Sequence, residues 1–183
     1  MKLNKRTYRN NSLRLQGYDY SNEGIYFVTI LTKNREPFFG KIIKDQVVLN
    51  EIGDIAEKEW LKTQQIRDRV TLGQFVIMPD HLHAILALGP VRAHGHAPLL
   101  AGEPYKNEFG PQRNNLSSII RGFKGSSTKK IRQTINPSFA WHRSFYDRVI
   151  RNKKELNKIE EYIFNNPIAF YLKQKDSGFE LNF

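Results

Sequence analysis

Two histidines separated by one residue lie in an apolar stretch, "VIMPDHLHAIL" (residues 76–86). Side chains two apart on a β-strand point to the same face, so His81 and His83 would project together, about 6–7 Å apart. Two imidazoles placed in this way can bind one metal ion, since neutral imidazole is the commonest metal ligand of proteins. Asp80 adds a carboxylate at the start of the strand. The spacing alone leaves metal binding and an accidental pair of surface histidines equally open.

A second group of polar side chains has helical spacing in "NKKELNKIEEYIFNNP" (residues 152–167). Lys158, Tyr162 and Asn166 follow one another at intervals of four residues, so a helix would place them along one flank. Beside this flank runs an apolar stripe formed by Leu156, Ile159 and Ile163. A tyrosine at such a boundary usually packs its ring on the core, but its hydroxyl can also reach a cleft. Periodicity does not decide between these roles.

The elements that must position these groups are strands in the first half of the chain. Strands are predicted at residues 24–34, 69–79 and 81–88, with a turn at Pro79 and Asp80 between the last two. A short strand precedes a helix that begins after Asn50, a favoured N-cap residue.

The second half of the chain contains two predicted helices around an extended segment. The first is a basic helix at 115–135, interrupted by Gly122 and Gly125, and an extended aromatic segment follows at 139–150. The last helix begins at Asn152 and ends at Pro167. This order predicts an α+β, ferredoxin/RRM-like sandwich, in which helices cover a mainly antiparallel sheet.

Length and composition indicate one globular domain. We expect a single domain over residues 1–183, with a basic N-terminal arm at 1–23, a long variable loop at 89–114 and a C-terminal tail at 168–183. The sequence has no cysteine, which excludes disulfide scaffolds, thiolate zinc sites and cysteine nucleophiles. It has neither a signal-peptide core nor an apolar run of membrane-spanning length. We therefore expect a cytoplasmic, nucleoid-associated protein.

The positive charge is concentrated in the second half of the chain. The net charge is +11, and residues 113–158 contain twelve lysines and arginines against two carboxylates. Such clustering indicates a nucleic-acid partner, because lysine and arginine neutralise phosphates; a solvated basic face or a membrane-surface patch is the alternative. The predicted contacts with the DNA backbone are Lys124, Lys129, Lys130, Arg132, Arg151, Lys153, Lys154 and Lys158.

Four segments of this sequence resemble, in order and spacing, the single-tyrosine HUH transposases, and most closely the REP-associated tyrosine transposases. They are "FVTILTKNRE", "FVIMPDHLHAIL", "NLSSIIRGFKGSSTKKI" and "WHRSFYDRVIRNKKELNKIEEYIFNNP". The resemblance extends from Gly24 to Pro167. "HLH" matches the HUH element, in which U is a hydrophobic residue, and "YIFNNP" is similar to the family's tyrosine helix.

The resemblance implies a role for each matched residue. His81 and His83 match the metal-binding histidines, Tyr162 matches the nucleophile, and Asn166 matches the third metal ligand, where insertion-sequence relatives have glutamine. The implied cofactor is Mg²⁺ or Mn²⁺, and the implied partner is single-stranded DNA beside a hairpin-forming repeat. Attack by Tyr162 would give a 5′-phosphotyrosine and a free 3′-hydroxyl. The general base is open among Asp80, Lys158 and a metal-bound hydroxide, and the protein could be a monomer or a homodimer.

Other interpretations of the same residues remain open. Tyr146 is a second candidate nucleophile, although no asparagine follows it four residues later. The domain could be a non-catalytic RRM-like nucleic-acid-binding module, although the sequence lacks the aromatic RRM strand motif. It could also be a metal-dependent hydrolase that uses water instead of tyrosine. His94 and His96 repeat the spacing of the histidine pair, but we assign them no ligand role because they lie in the Gly/Pro-rich loop.

Overall fold

The computed structural model describes Tyr20, residues 22–89 and residues 115–176, with side chains described as far as residue 173. The predicted arm and variable loop therefore lie almost wholly outside the described residues, as do His94 and His96. In ranges 22–89 and 115–176, no helix is long and apolar enough to cross a membrane.

The described part of the chain folds into a sheet covered by helices, which confirms the predicted α+β class. The strands are β1 (Gly24–Leu31), β2 (Gly40–Ile43), β3 (Gln46–Leu49), β4 (Val70–Met78), β5 (His81–Leu88) and β6 (Tyr146–Ile150). The helices are α1 (Glu51–Gln65), α2 (Leu116–Thr134) and α3 (Lys153–Asp176). Four strands form one sheet in the order β4-β5-β1-β6, with every neighbouring pair antiparallel, and β2 pairs with β3 separately. Without the β2–β3 hairpin, the chain follows the βαββαβ order of ferredoxin-like domains.

The two faces of the sheet have different roles. Alternate residues of β1 and β5, such as Val28 and Ala84, belong to the main core together with residues of α1 and α2. The other face carries a smaller cluster, in which Ile85 packs with Ile159 and Ile163 of α3. Because side chains alternate along a strand, the histidines of β5 lie on this second face, beneath α3.

Backbone contacts hold the turn between β4 and β5 in place. Thr32 is fully buried, and both its backbone N–H (2.9 Å) and its hydroxyl (3.0 Å) donate to the carbonyl oxygen of Asp80. The backbone N–H of Phe39 donates to the carbonyl oxygen of Pro79 at 3.0 Å. The predicted turn at Pro79 and Asp80 is therefore confirmed, and its position is fixed by the chain that follows β1.

The predicted helix starts are also confirmed. The Oδ1 atom of Asn50 accepts hydrogen bonds from the backbone N–H groups of Ile52 and Gly53, each at 3.0 Å. Asn152 caps α3 by accepting from the N–H of Glu155 at 2.9 Å, and the Glu155 carboxylate accepts from the N–H of Arg151 at 3.0 Å. The predicted cap by Asn152 is therefore present, but the Glu155 carboxylate binds the N–H of the residue before the cap and not that of Asn152 itself, as it would in a capping box.

The predicted interruption of the basic helix is wrong. α2 is continuous through Gly122 and Gly125. A glycine costs a helix about 1 kcal/mol relative to alanine. Ile119, Phe123 and Ile131 of α2 are buried in the main core, and this packing outweighs the cost.

The predicted end of the last helix at Pro167 is also wrong. α3 continues through this proline to Asp176, so the predicted tail is helical over residues 168–176. The half-buried side chains of Asn166, Pro167, Phe170 and Tyr171 recur at helical spacing after the buried Ile163. Continued packing along this stripe offsets the hydrogen bond that proline removes.

An ion pair joins α1 to α2 on the covered face of the sheet. The Lys130 ammonium lies 2.5 Å from a carboxylate oxygen of Glu59, a residue that is only 5% exposed. Burial acts to raise the pKa of Glu59, but hydrogen bonds from Lys130 and Ser126 and the charge of Lys130 outweigh it and lower the pKa. A carboxyl group whose pKa is depressed by folding stabilises the protein above its ordinary pKa, and loses that effect as pH falls through the folded value.

We expect Lys130→Met to lower the free energy of unfolding by about 1–3 kcal/mol at neutral pH, because it removes the cation that pairs with a buried carboxylate. The difference from wild type should shrink below the ordinary glutamate pKa of 4.5. Chemical denaturation at both pH values measures it. Lys129→Met is the matched control: Lys129 is exposed, and its loss should change stability by less than about 0.5 kcal/mol. Equal losses in the two variants would contradict a specific role for the ion pair.

Candidate active site

The two histidines of β5 converge on one point. Their Nε2 atoms are 3.0 Å apart, and the two rings meet edge to face with their centroids 4.5 Å apart. Each histidine is only 6% exposed. The structure thus brings His81 and His83 together on one face, as their spacing on a strand predicts.

A different group holds the far side of each imidazole ring. The Nδ1 atom of His81 lies 2.5 Å from one oxygen of Asp80, whose other oxygen accepts from Nε of Arg35 at 2.8 Å. The Nδ1 atom of His83 lies 2.8 Å from the Thr29 hydroxyl. Because an ionised carboxylate only accepts hydrogen bonds, Nδ1 of His81 is the donor in this contact, and Nε2 is the ring nitrogen that faces His83. Such outer contacts fix the orientation of metal-binding histidines.

Burial and neighbouring charges set the ionisation of this site. Burial, together with the charges of His81 and Arg35 and against that of Asp80, lowers the pKa of His83 to about 3. Burial acts to raise the pKa of Asp80, but its hydrogen bond with His81 and the charges of His81 and Arg35 hold it below the ordinary value. At neutral pH the site therefore contains a neutral His83 and an ionised Asp80.

α3 places the Tyr162 hydroxyl beside the histidines. Its oxygen is 3.2 Å from Nε2 of His83. Phe27 of β1 stacks on the His83 ring at 5.4 Å and meets the Tyr162 ring edge to face at 6.0 Å. Tyr162 is nevertheless 49% exposed, so both roles considered for a boundary tyrosine are realised. One face of the ring packs against its neighbours, while the hydroxyl reaches His83 in an open site.

Asn166 and Lys158 lie on the same helix as Tyr162. Because α3 does not end at Pro167, Asn166 has a helical position about one turn after Tyr162, about 6 Å along the axis. Asn166 is half-buried, whereas Lys158 is exposed. No three side chains of the His, Cys, Asp or Glu types form a metal-binding cluster among the described residues. The donors beside Tyr162 are therefore two imidazoles, with the Asn166 amide further along the helix.

Tyr146 lies two strands away from His83 in the sheet. It begins β6 opposite Thr29 of β1, and Thr29 lies opposite His83 of β5. Two strand spacings, about 10 Å, therefore separate the backbones of Tyr146 and His83. Tyr146 is 45% exposed on the same face of the sheet.

The predicted DNA-contacting residues fall into two groups. Three already make contacts within the protein: Lys130 pairs with Glu59, Arg132 donates from Nε to the Phe139 carbonyl oxygen at 2.7 Å, and Lys124 donates to backbone carbonyls. The other five are Lys129, Arg151, Lys153, Lys154 and Lys158, which are all exposed, as are Lys130 and Arg132 of the first group. DNA contact remains a prediction for both groups.

Three residues of the site were absent from the sequence prediction. Thr29 and Phe27 take part through the pairing of β1 with β5, which juxtaposes residues more than fifty positions apart. Arg35 reaches Asp80 from a turn in which it has a φ of 58°, a backbone conformation uncommon for arginine. Thr29 is a polar residue on an otherwise apolar strand, which is a weak signal of a functional position.

Two proteins of Haemophilus influenzae strain Rd are similar in sequence to this chain, while no family model matches it. One, named only as an uncharacterized protein, is 36% identical over 170 residues, which are 92% of this chain and 94% of that protein. The other is named as a candidate REP-associated tyrosine transposase and is 28% identical over 150 residues, covering 82% of this chain and 73% of its own length.

The fold is also similar to that of a solved transposase. The structure of a REP-associated tyrosine transposase bound to a REP hairpin matches with a TM-score of 0.56 and 20% identity, over 86% of this chain and 74% of that one. At this level of identity the likeness shows a shared fold. This fold similarity points to the same family as the name of the 28% identical relative. The position of Tyr162 on α3, over the two histidines of β5, is consistent with both. The chain belongs to the family of REP-associated tyrosine transposases.

Proposed function

We propose that this protein is a metal-dependent endonuclease and strand transferase that cleaves single-stranded DNA beside hairpin-forming repeats. Tyr162 is the nucleophile. The observation that carries the proposal is the position of the Tyr162 hydroxyl, 3.2 Å from Nε2 of His83, which is itself 3.0 Å from Nε2 of His81. An exposed phenol beside a buried pair of imidazoles is a nucleophile next to a candidate metal site.

The histidines suit a divalent cation with octahedral coordination. Two nitrogen ligands about 2.1 Å from an ion and at a right angle lie about 3.0 Å apart, which equals the separation of the two Nε2 atoms. Neutral His83 and the contacts that hold both Nδ1 atoms favour metal binding. Asn166 would supply an amide oxygen, a ligand that Mg²⁺ and Mn²⁺ prefer. When bound, the ion would polarise the scissile phosphate and offset the charge that develops there.

The proposed reaction exchanges one phosphoester bond for another. The Tyr162 oxygen attacks the phosphorus and loses its proton, a Tyr–O–P bond forms, and the bond from phosphorus to the 3′ oxygen breaks. The 3′ oxygen takes up a proton, so the products are a 5′-phosphotyrosine and a free 3′-hydroxyl. Because the phosphoester is conserved, a 3′-hydroxyl can attack the phosphotyrosine in reverse and rejoin strands without a nucleotide cofactor.

Asp80 and Lys158 are the two side chains considered for assisting the loss of the Tyr162 hydroxyl proton. The Asp80 carboxylate already binds His81 and Arg35, on the side of His81 away from Nε2. Lys158 is exposed and lies one helical turn before Tyr162 on the same flank. This position favours Lys158 over Asp80 as the group that assists deprotonation.

Hairpin DNA is the proposed substrate. The solved transposase with this fold is bound to a REP hairpin, which supports a similar ligand here. The exposed Arg151, Lys153 and Lys154 lie at the start of α3, the helix that carries Tyr162. Lysine and arginine at this position can neutralise phosphates near the cleaved bond.

We expect Tyr162→Phe to abolish covalent capture of DNA, because it removes only the nucleophilic oxygen. Tyr146→Phe is the matched control and should retain the adduct. Each protein is incubated with a labelled single-stranded hairpin from the repeats flanking the gene, with Mg²⁺ or Mn²⁺, and the products are separated on a denaturing gel. An adduct that survives in Tyr162→Phe and disappears in Tyr146→Phe would make Tyr146 the nucleophile.

The same gel separates the other functions. Cleavage of DNA without any protein-linked band would favour a hydrolase that uses water. Tight binding by the wild-type protein without cleavage of any flanking repeat would favour a non-catalytic binding module.

We expect Thr29→Val to weaken Mn²⁺ binding by about 10–100-fold, because the hydroxyl that holds Nδ1 of His83 is lost. His83→Ala should weaken it further. Electron paramagnetic resonance of free Mn²⁺ measures the affinity without DNA or turnover. Thr71→Val, at an exposed threonine of β4, is the matched control and should bind Mn²⁺ like the wild type. Unchanged affinity in His83→Ala would argue against a metal site at the histidines.

A further inference from the structure

An open groove lies between α2 and the segment at residues 140–145, with a volume of about 680 Å³. Its charged lining is entirely basic and contains no carboxylate. The basic side chains are Arg121, Lys124, Lys129, Arg132 and Arg143. Its apolar lining includes Ile120, Trp141 and Phe145. We call this feature the α2 groove.

The α2 groove has rigid walls. The Lys124 ammonium donates to the carbonyl oxygens of His142 at 2.8 Å and Ser144 at 2.9 Å, which ties α2 to the opposite wall. Nε1 of Trp141 donates to the Ser127 hydroxyl at 3.0 Å. A ligand would therefore meet a shape that is already formed, and little ordering would oppose binding.

The wall of the α2 groove leads to the candidate active site. The backbone N–H of His142 donates to the carbonyl oxygen of Leu31 at 2.8 Å, and Leu31 lies opposite His81 in the sheet. A few residues later the same segment enters β6 at Tyr146, in the strand row of Thr29 and His83. The backbone of His142 is thus about two strand spacings, roughly 10 Å, from that of His81. The wall lies at the edge of the sheet, with α2 on one face and the histidines on the other.

Charge and apolar surface together indicate which nucleic acid the groove fits. A duplex presents phosphates outward but stacks its base faces inside. A single strand offers both phosphates and open base faces, which suit a basic rim beside aromatic side chains. Arg121, Lys129 and Arg143 are exposed, and Phe145 is half-buried in the lining.

We propose that the α2 groove binds the single-stranded DNA that flanks the cleaved phosphate. The inference rests on the proposed function and adds a second contact surface to it, beyond the start of α3. Arg121, Lys129 and Arg143 contact phosphates, and Phe145 contacts a base. The strand passes from the histidines over Tyr146 and His142 into the groove.

The test removes charge without disturbing the walls. The triple variant Arg121→Gln, Lys129→Gln, Arg143→Gln avoids Lys124 and Arg132, which hold backbone carbonyls. Arg69→Gln is the control, since Arg69 is an exposed arginine next to β4 at the Leu88 end of β5. That end is about 23 Å along the strand from His81. Thermal unfolding of all proteins checks that each variant folds.

Fluorescence anisotropy would compare three DNAs: a minimal hairpin, the same hairpin with a single-stranded flank of about 10 nucleotides on either side, and a hairpin with a longer stem. Compared with the minimal hairpin, the wild-type protein and Arg69→Gln should bind the flanked hairpin more tightly when the flank is on one of the two sides, 5′ or 3′. The triple variant should lose at least about tenfold of this gain, and the slope of log affinity against log salt should fall by about 2. Lengthening the stem should help all proteins equally.

Two outcomes would overturn the inference. One is an equal gain from the single-stranded flank in the wild-type protein and the triple variant. The other is a triple variant that loses its gain from the longer stem, since duplex DNA would then occupy the groove. The wild-type adduct on the hairpin with single-stranded flanks, the DNA that contains the proposed cleavage position, tests the proposed function separately. If the wild-type protein forms no adduct but the triple variant still loses its gain from the flank, the groove assignment is supported and the proposed cleavage activity is contradicted.

Discussion

The register between β1 and β5 is the constraint on which the candidate site depends. It places Thr29 opposite His83 and Leu31 opposite His81. A slip of one residue would turn both histidines to the other face, and would expose Leu82 and Ala84, which are now in the main core. The apolar residues between and after the histidines therefore orient the imidazoles. Burial of the apolar residues on one face of the sheet by the hydrophobic effect therefore keeps His81 and His83 on the other face.

The polar contacts of the site continue this division. Buried charge is costly unless it is paired and hydrogen-bonded, and Asp80 meets both conditions through His81 and Arg35. The turn that contains Asp80 is held by the buried Thr32, whose hydroxyl and backbone N–H donate to the Asp80 carbonyl oxygen. The two Nε2 atoms face each other, and that of His83 contacts the Tyr162 hydroxyl, on the face that α3 covers incompletely. Rigidity thus comes from the contacts behind the histidines, and access comes from the exposed side of the tyrosine.

The sequence predicts those parts of the site that depend on local periodicity. A strand spacing of two places His81 with His83, a helix spacing of four aligns Tyr162 with Asn166, and side-chain caps mark the helix starts. Thr29 and Arg35 could not be predicted, because their roles come from strand register and from one turn conformation. Gly122 and Pro167 misled the prediction in the opposite way. Their local preferences cost about 1 kcal/mol for the glycine and about 3 kcal/mol or more for the proline, and the long, partly buried helices that contain them form nevertheless.

The sequence does not show which basic side chains make contacts within the protein and which are free on its surface. Lys129 and Lys130 are adjacent and chemically identical, yet one lines the α2 groove and the other pairs with the buried Glu59. Lys124 also lies in the groove, but its ammonium holds two backbone carbonyls and burial lowers its pKa to about 8. A basic run thus combines residues that shape a surface with residues that present charge on it. The net charge of +11 therefore overstates the number of basic side chains that are free to contact a partner.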